Sequence, residues 1–216
     1  MTETRYGAGV RPALLVVLAL ALAACGGSSH DHDAAAIIES GASTGPAAIV
    51  PAAPLVVGDL SLPNAADGGA PYRLRPAPGR VLLVFFGFTN CPDVCPTTLA
   101  DLRAAIRRLP AGQRGLVDVA FVTVDPKRDT PAVTRDYIAR FFPDGAGLRT
   151  DDDAQLRKVA TAFSAAYEVQ GTDVTHSSNV AAVTPNGRVA VLWQFGTPVE
   201  TIANDLGMLV TAVTPS

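Results

Sequence analysis

An apolar run followed closely by two cysteines restricts the folds open to this chain more than any other feature. The run Val81–Phe86 is β-branched and aromatic and ends at Gly87, which predicts a buried strand. Pro96 and apolar residues at helical spacing then predict a helix over about residues 97–109. Cys91 and Cys95 therefore lie in a strand-to-helix loop, at or beside a helix N-terminus. Unpaired amides and the helix macrodipole at such a place lower the pKa of thiols, so we expect both cysteines to have thiolate character.

The remaining periodic segments alternate in a way that predicts the fold. They are a hairpin of strands 55–62 and 72–74, a strand over 116–124, a helix opened by Thr130 and Pro131 with Val133, Tyr137, Ile138 and Phe141 on its inner face, a helix opened by Asp151–Asp153 whose buried stripe extends to Tyr167, strands 179–184 and 188–195, and a closing helix near 202–210. This order predicts an α/β protein with a thioredoxin-like fold. Its central mixed sheet is flanked by helices and preceded by an N-terminal β-hairpin.

The N-terminal residues predict export. Residues 1–24 have a weakly positive start and a twelve-residue apolar stretch, too short to span a bilayer, and they end in Leu22-Ala23-Ala24-Cys25. That ending resembles a bacterial lipoprotein signal, in which Cys25 becomes the lipidated first residue. An ordinary cleavage site followed by a chance cysteine is the alternative. Residues 25–54 are rich in Gly, Ala, Ser and Pro and predict a flexible tether, so the folded domain is expected over 55–214. We expect the protein to be extracytoplasmic or periplasmic, lipid-anchored to the membrane, where disulfides can form.

Charge and motifs exclude several classes of function. The net charge is −3 with no Lys/Arg cluster, which gives no footprint for nucleic acid. No phosphate-binding glycine motif follows a predicted strand. Within the tether, His30 and His32 alternate with aspartates and could hold a metal transiently, but a solvated polar patch is the favoured interpretation.

The spacing of the two cysteines suits both a disulfide and a metal. On a helix, a separation of four places both side chains on one face, with a rise of roughly 6 Å between them. Cys91 and Cys95 can therefore pair when oxidised and converge on one ion when reduced. His176 is the only histidine of the predicted domain, and a thioredoxin-like arrangement would bring it to the cysteine loop as a third ligand. Two sulfurs and one imidazole suit copper, while zinc with an added water is the rival.

At these residues the chain resembles the Sco/SenC family, thioredoxin-fold copper proteins that help to assemble the copper centre of cytochrome c oxidase. The matching stretches are Phe86-Gly87-Phe88-Thr89-Asn90-Cys91-Pro92-Asp93-Val94-Cys95-Pro96, then Val124-Asp125-Pro126-Lys127-Arg128-Asp129-Thr130-Pro131, then His176-Ser177 followed by Pro185-Asn186-Gly187. They order the region from about 55 to 212.

The resemblance implies a role for each matching residue. Cys91 and Cys95 would be the redox-active pair, a disulfide when oxidised, and together with His176 they would bind Cu(I) and/or Cu(II). Partners would be the copper-bearing subunit of cytochrome c oxidase and a copper donor chaperone. Family members often carry Asp directly before this His, whereas Thr175 stands here and the nearest aspartate is Asp173. Asp125 and Asp129 are interpreted as loop and helix-start residues rather than ligands.

Two functions stay open on the sequence. The first is a membrane-tethered copper metallochaperone, which is not primarily an enzyme. The alternative is a thiol-disulfide oxidoreductase that reduces the cysteines of the oxidase subunit or of other extracytoplasmic targets, a role that does not require His176. A thiol peroxidase lacks a dedicated Arg or Thr motif beside Cys91. A purely structural disulfide would close too small a loop to remove much unfolded-chain entropy.

Overall fold

The computed structural model describes residues 49–214, which form a mixed β-sheet with helices on both faces. The strands are β1 (Ser61–Asn64), β2 (Ala70–Arg73), β3 (Val81–Gly87), β4 (Val117–Thr123), β5 (Ala146–Leu148), β6 (Tyr167–Gln170), β7 (Asp173–His176), β8 (Val180–Val183) and β9 (Val189–Trp193). The helices are α1 (Val94–Arg108), α2 (Ala111–Arg114), α3 (Pro131–Ala139), α4 (Asp153–Ala162) and α5 (Val199–Val213). The predicted signal peptide and most of the predicted tether, with Cys25, His30 and His32, lie outside the described residues.

The main sheet has seven strands in the order β2-β1-β5-β4-β3-β8-β9. β3 lies between β4, to which it is parallel, and β8, to which it is antiparallel. All of its residues are buried, as expected for a strand covered on both faces. The carboxyl end of β3 is therefore held by a neighbouring strand on each side, and the cysteine loop starts there.

Two hydrophobic cores lie on opposite faces of the sheet. Alternate residues of β3 pack with α1, α3 and α5 on one face, where Leu99, Leu102, Ile138 and Leu206 are buried. The other residues of β3 pack with α4 on the opposite face, through Leu156 and Val159. The predicted thioredoxin-like fold, with its central mixed sheet and N-terminal hairpin, is confirmed.

Several element boundaries differ from the predictions. The hairpin is formed by β1 and β2, later in the chain than the predicted first strand, and α1 begins at Val94 rather than near residue 97. In α3 the predicted cap is confirmed, since the Thr130 hydroxyl accepts from the backbone N–H of Val133. Val133 itself is exposed and Thr134 takes the inner position, so that part of the predicted face is wrong.

A separate two-stranded ribbon of β6 and β7 was not predicted. α4 ends at Ala162, and Ser164 adopts a positive φ of 53°, which breaks the apolar helical period that was expected to continue to Tyr167. Tyr167 instead begins β6 and pairs directly with His176. The ribbon is how the chain brings this histidine to the cysteines.

The region preceding the first strand contacts the far edge of the sheet. Ile49 exchanges two backbone hydrogen bonds with Leu192 of β9, and the backbone N–H of Val189 donates to the carbonyl of Leu55. Within residues 49–214, no helix is both long enough and apolar enough to cross a membrane.

Candidate metal centre

The two cysteines occupy different places at the start of α1. Cys95 is the second residue of the helix and is fully buried. Cys91 lies in the preceding loop, as predicted, and is partly exposed, so the two cysteines do not share one helical face. Its Sγ accepts a hydrogen bond from the backbone N–H of Cys95 at 3.3 Å. One of the unpaired amides of the helix N-terminus is thus directed at the outer sulfur. Both cysteines are free thiols.

His176 reaches the same point from the last position of β7. Its Nε2 lies 3.4 Å from the Sγ of Cys95. The rings of Phe85 and Phe88 contact the imidazole edge-on, with centroid distances of 6.1 and 5.8 Å. The ligand atoms of Cys91, Cys95 and His176 all lie within 4.8 Å of one another. The structure therefore brings together the three residues named from the sequence, although they come from two distant segments.

The tautomer of His176 is set by the backbone carbonyl of Ser177. Its Nδ1 is 2.9 Å from the carbonyl oxygen of Ser177, and because a carbonyl can only accept, Nδ1 carries the proton. Nε2 is then an acceptor, and the Cys95 thiol donates to it. Burial lowers the pKa of His176, which keeps the ring neutral. A neutral imidazole with a free Nε2 lone pair is the form that ligates a metal.

The predicted thiolate character is wrong for Cys95. Burial raises the pKa of its thiol, and the opposing effect of the Phe88 backbone N–H is smaller. The helix N-terminus favours thiolate only where its amides and solvent reach the sulfur, and Cys95 is buried in the core beneath them. In the metal-free protein Cys95 is therefore a neutral thiol. A cation bound here would supply the positive charge that displaces this proton, so metal binding would be coupled to proton release.

Asp129 holds the cysteine loop against the sheet, a role that was not predicted. Its fully buried carboxylate accepts from the backbone N–H of Thr89 at 3.0 Å, from the Thr89 hydroxyl at 2.5 Å and from the Thr123 hydroxyl at 2.5 Å. Asp125 pairs with Arg128. Neither belongs to the group of three potential ligands, in agreement with their interpretation as non-ligands. One indication of this role of Asp129 was present in the sequence: a carboxylate in a loop next to a buried strand needs hydrogen-bond donors when it is buried.

Asp173 has no place beside the imidazole. It lies at the start of β7, three residues before His176, and is exposed. The second nitrogen of the imidazole is hydrogen-bonded to the Ser177 carbonyl instead. Backbone geometry thus orients the ring in this chain, and no carboxylate is needed for it.

The donor set fits a soft, monovalent or divalent transition metal. Two sulfurs and one imidazole nitrogen, surrounded by aromatic rings, are the ligands that copper accepts in low coordination. The partial exposure of Cys91 leaves a side open to solvent. A site of this kind can take up an ion, and it can also form or break a disulfide.

A comparison of the chain with models of protein families agrees with this candidate site. The model of the SCO1/SenC family matches residues 59–211, which include both cysteines and the histidine. The chain belongs to the SCO1/SenC family. The predicted resemblance is thereby confirmed over most of the chain.

A relative among curated proteins is a "Putative copper-binding protein" of Stutzerimonas stutzeri. It is 38% identical over 122 residues, covering 54% of this chain and 59% of the relative. The matched region therefore spans less than two thirds of that protein's length.

Solved structures of Sco proteins share the fold. The apo Sco1 protein of Thermus thermophilus has a TM-score of 0.62 at 33% identity, covering 80% of this chain and 99% of that one. Copper-bound ScoI of Bradyrhizobium japonicum has a TM-score of 0.60 at 30% identity, covering 71% and 99%. BsSco, described as having a disulfide switch and as a member of the Sco family of cytochrome c oxidase assembly proteins, has a TM-score of 0.59 at 25% identity, covering 76% and 98%.

Proposed function

We propose that this SCO1/SenC protein is a copper metallochaperone. It binds one copper ion through Cys91, Cys95 and His176 and delivers it to the copper-bearing subunit of cytochrome c oxidase. The observation that carries the proposal is the convergence of the three ligand atoms within 4.8 Å, with the Nε2 lone pair of His176 already directed at them. Membership of a family of oxidase assembly proteins supports the identity of the recipient.

Copper rather than zinc is supported by two arguments. Two thiolates and one imidazole suit Cu(I) in trigonal coordination, and Cu(II) with an added oxygen ligand, whereas zinc would need a fourth donor. Copper also appears in the name of the Stutzerimonas stutzeri relative and in the Bradyrhizobium japonicum ScoI structure.

Transfer by ligand exchange follows from the unequal burial of the two sulfurs. Binding displaces the thiol proton of Cys95 to solvent and uses the Nε2 lone pair of His176. Because Cys91 is the partly exposed ligand, an incoming donor of the recipient can replace it first. Cys95 then releases the ion last and takes up a proton again, which the high pKa of its buried thiol favours.

A second candidate function, thiol-disulfide exchange, is supported by the same sulfur pair. The thiolate of Cys91 would attack a disulfide of the target and form a mixed disulfide, releasing one target thiolate that takes up a proton. Cys95 would then lose its proton and attack the Cys91 sulfur, and the second target sulfur would leave as a thiolate that takes up a proton, leaving a Cys91–Cys95 disulfide. The target gains two electrons and this protein loses two. His176 is not needed for the electron balance.

Complementation separates the two functions. Cells that lack this protein would receive the wild type, Cys91→Ser, Cys95→Ser or His176→Ala, and the copper content and activity of the oxidase would be measured. A chaperone requires all three residues. If His176→Ala restores the oxidase fully while both cysteine variants fail, the protein acts as a reductase.

We propose further that Cys25 carries the lipid that holds the protein at the membrane, outside the cytoplasm. The Leu22-Ala23-Ala24-Cys25 sequence supports this anchor. A copper donor chaperone would load the site before the recipient docks. No nucleic acid is among the proposed partners, because the chain is acidic overall.

A further inference from the structure

The histidine of the metal centre is carried by a ribbon that is separate from the main sheet. β6 and β7 pair with each other and form a two-stranded sheet of their own. Most residues of both strands are exposed. Because a two-stranded ribbon is at best marginally stable by itself in water, its contacts with the rest of the domain decide where His176 lies.

Arg128 ties the turn of this ribbon to the domain. Its Nη1 donates a hydrogen bond to the carbonyl oxygen of Thr172, in the turn between β6 and β7, at 3.0 Å. Its Nε donates to the carboxylate of Asp125, which is only 3% exposed. The donors of a guanidinium form a rigid fork, so one arginine can hold both acceptors at once. The tip of the ribbon is thereby connected to a buried carboxylate.

The loop that carries Arg128 also holds the cysteine loop. Asp129, the next residue, accepts hydrogen bonds from the backbone N–H and the hydroxyl of Thr89 in the cysteine loop. The backbone of Asp129 is held in turn, since Arg149 Nε donates to its carbonyl oxygen at 2.7 Å. Two adjacent residues thus contact the two segments that carry the candidate ligands, one the cysteine loop and the other the histidine ribbon.

The contact at the tip acts on His176 through β7. Thr172 precedes this strand and His176 ends it, so the two residues are roughly 13 Å apart, at about 3.3 Å per residue. At the other end, the rings of Phe85 and Phe88 contact the imidazole. Holding both ends fixes the tilt of the strand, and with it the direction of Nε2 towards the Cys95 sulfur. A ribbon released at its tip can pivot about its base and take the imidazole away from the sulfurs.

We propose that Arg128 is a positioning residue for the metal centre, which holds the tip of the ribbon so that His176 lies at the two sulfurs before an ion arrives. Arg128 acts through the ribbon and is not itself a ligand. A binding arrangement that is populated for only a fraction of the time weakens the apparent affinity by that fraction. The proposal rests on the proposed copper function, to which it adds the residue that keeps the third ligand in place.

The test uses Arg128→Lys in the full chain. Lysine keeps a positive charge beside the buried carboxylate of Asp125, so the fold is preserved. A single ammonium lacks the fork of the guanidinium, and its stronger partner is the carboxylate, so the bond to the Thr172 carbonyl is lost. Arg135→Lys is the matched control, because it makes the same change at a pair with the exposed Asp136.

Hydrogen exchange of the reduced, metal-free protein gives the first measurement. Mass spectrometry compares the backbone amides of β6 and β7 with those of the buried strand β3. Arg128→Lys should speed exchange in the ribbon about three- to tenfold, as expected for the loss of one hydrogen bond, and leave β3 unchanged. Arg135→Lys should exchange as the wild type does. Wild-type exchange of the ribbon in Arg128→Lys would overturn the proposal.

A double-variant cycle then connects the ribbon to the metal. Cu(I) affinity is measured by competition with a chelator for the wild type, Arg128→Lys, His176→Ala and the combined variant. Arg128→Lys should weaken binding about threefold or more in the wild-type background, and should have no further effect once His176 is absent. A general effect on the fold would weaken binding equally in both backgrounds, and that result, or no loss in either, overturns the positioning role.

The two measurements keep the proposal separate from the copper function. If the wild type binds no copper, the proposed function fails, and the exchange measurement decides by itself whether Arg128 holds the ribbon. Faster exchange confined to β6 and β7 supports this role, and unchanged exchange overturns it.

Discussion

His176 shows how a single side chain can be prepared for a metal by the backbone carbonyl of the next residue. The Ser177 carbonyl fixes the proton on Nδ1, and the Phe85 and Phe88 rings hold the plane of the imidazole. The ion therefore meets a ring that needs neither rotation nor loss of a proton. Cys95 differs, because its buried thiol must lose a proton when the ion binds. Protons and copper therefore compete for the sulfur of Cys95 rather than for the imidazole of His176.

The buried imidazole predicts a pH dependence of stability. Burial lowers the pKa of His176 below its ordinary value of 6.5, so the unfolded chain takes up a proton first as the pH falls. Metal-free wild type should lose stability from about pH 6.5 downwards, until the pH has passed the folded-state pKa. His176→Gln should lose less stability over the same interval. Melting temperatures of both proteins between about pH 7.5 and pH 5 measure this, and parallel curves would contradict it.

Asp129 gives a prediction at the same scale. Asp129→Ala removes the acceptor for the amide and hydroxyl of Thr89 and for the hydroxyl of Thr123, leaving one buried and two partly buried donors unpaired. We expect a loss of about 3 kcal/mol in the free energy of unfolding, measured by urea denaturation. Asp136→Ala, which removes an exposed carboxylate paired with Arg135, is the control and should change little. Equal effects of the two substitutions would exclude a special role for Asp129.

The three ligands could be named from the sequence, but their supporting residues could not. Only two cysteines and one histidine were available in the predicted domain, so composition restricted the choice. Asp129 acts through contacts across the fold, with the cysteine loop at Thr89 and the end of β4 at Thr123, which spacing along the chain does not reveal. The pKa of Cys95 was mispredicted for the same reason, because the depth of a side chain is a tertiary property.

At the scale of elements, the end of β3 and the start of α1 must fit closely together. Gly87 is the last residue of β3, and any side chain there would collide with the Cys95 sulfur. The cysteine loop begins directly after Gly87, and the absence of a Cβ at this residue leaves room for the Sγ of Cys95. This explains why a glycine ends an otherwise bulky apolar strand.

Gly87→Ala should therefore damage both folding and the site. Its Cβ would lie 2.9 Å from the Cys95 Sγ and 3.1 Å from the rings of Phe121 and Phe85. We expect a loss of about 1–3 kcal/mol in unfolding free energy from overpacking, together with weaker copper binding. Gly112→Ala, in α2 with no atom within 4 Å of the added methyl, is the control and should be neutral or slightly stabilising. Denaturation and copper titration of both variants provide the check, and a Gly87→Ala protein with wild-type properties would contradict the packing argument.

The long elements were predicted and the short ones were missed. β3, β4 and α1 have strong apolar periods, and their order defined the fold. The β6–β7 ribbon is polar at most positions, and the apolar spacing of the α4 sequence continues to Tyr167 although the helix itself ends at Ala162, so the two strands gave no distinct signal. β5 has only three residues. β5 is held by pairing with β1 and β4, and β6 and β7 are held by pairing with each other, so none of these strands is specified by its own residues alone.

For the whole molecule, the proposed membrane attachment rests on Cys25, which precedes the described residues. If Cys25 is lipidated, wild type should sediment with membranes, and Cys25→Ser should be found in the soluble extracytoplasmic fraction. The reduced domain of the variant should still bind copper, because the three ligands are far along the chain from the anchor. Fractionation followed by immunoblotting measures this. A Cys25→Ser protein that stays with the membranes would exclude the lipid anchor.

The most direct test of the account is copper titration of the reduced protein. Wild type should bind one copper ion with sulfur-to-copper absorption in the Cu(II) form, and Cys91→Ser, Cys95→Ser and His176→Ala should each lose or weaken binding by tenfold or more. A double variant, His30→Ala with His32→Ala, should bind as wild type does. Wild-type affinity and absorption in His176→Ala, or loss of the ion in the His30/His32 variant, would contradict the three-ligand centre.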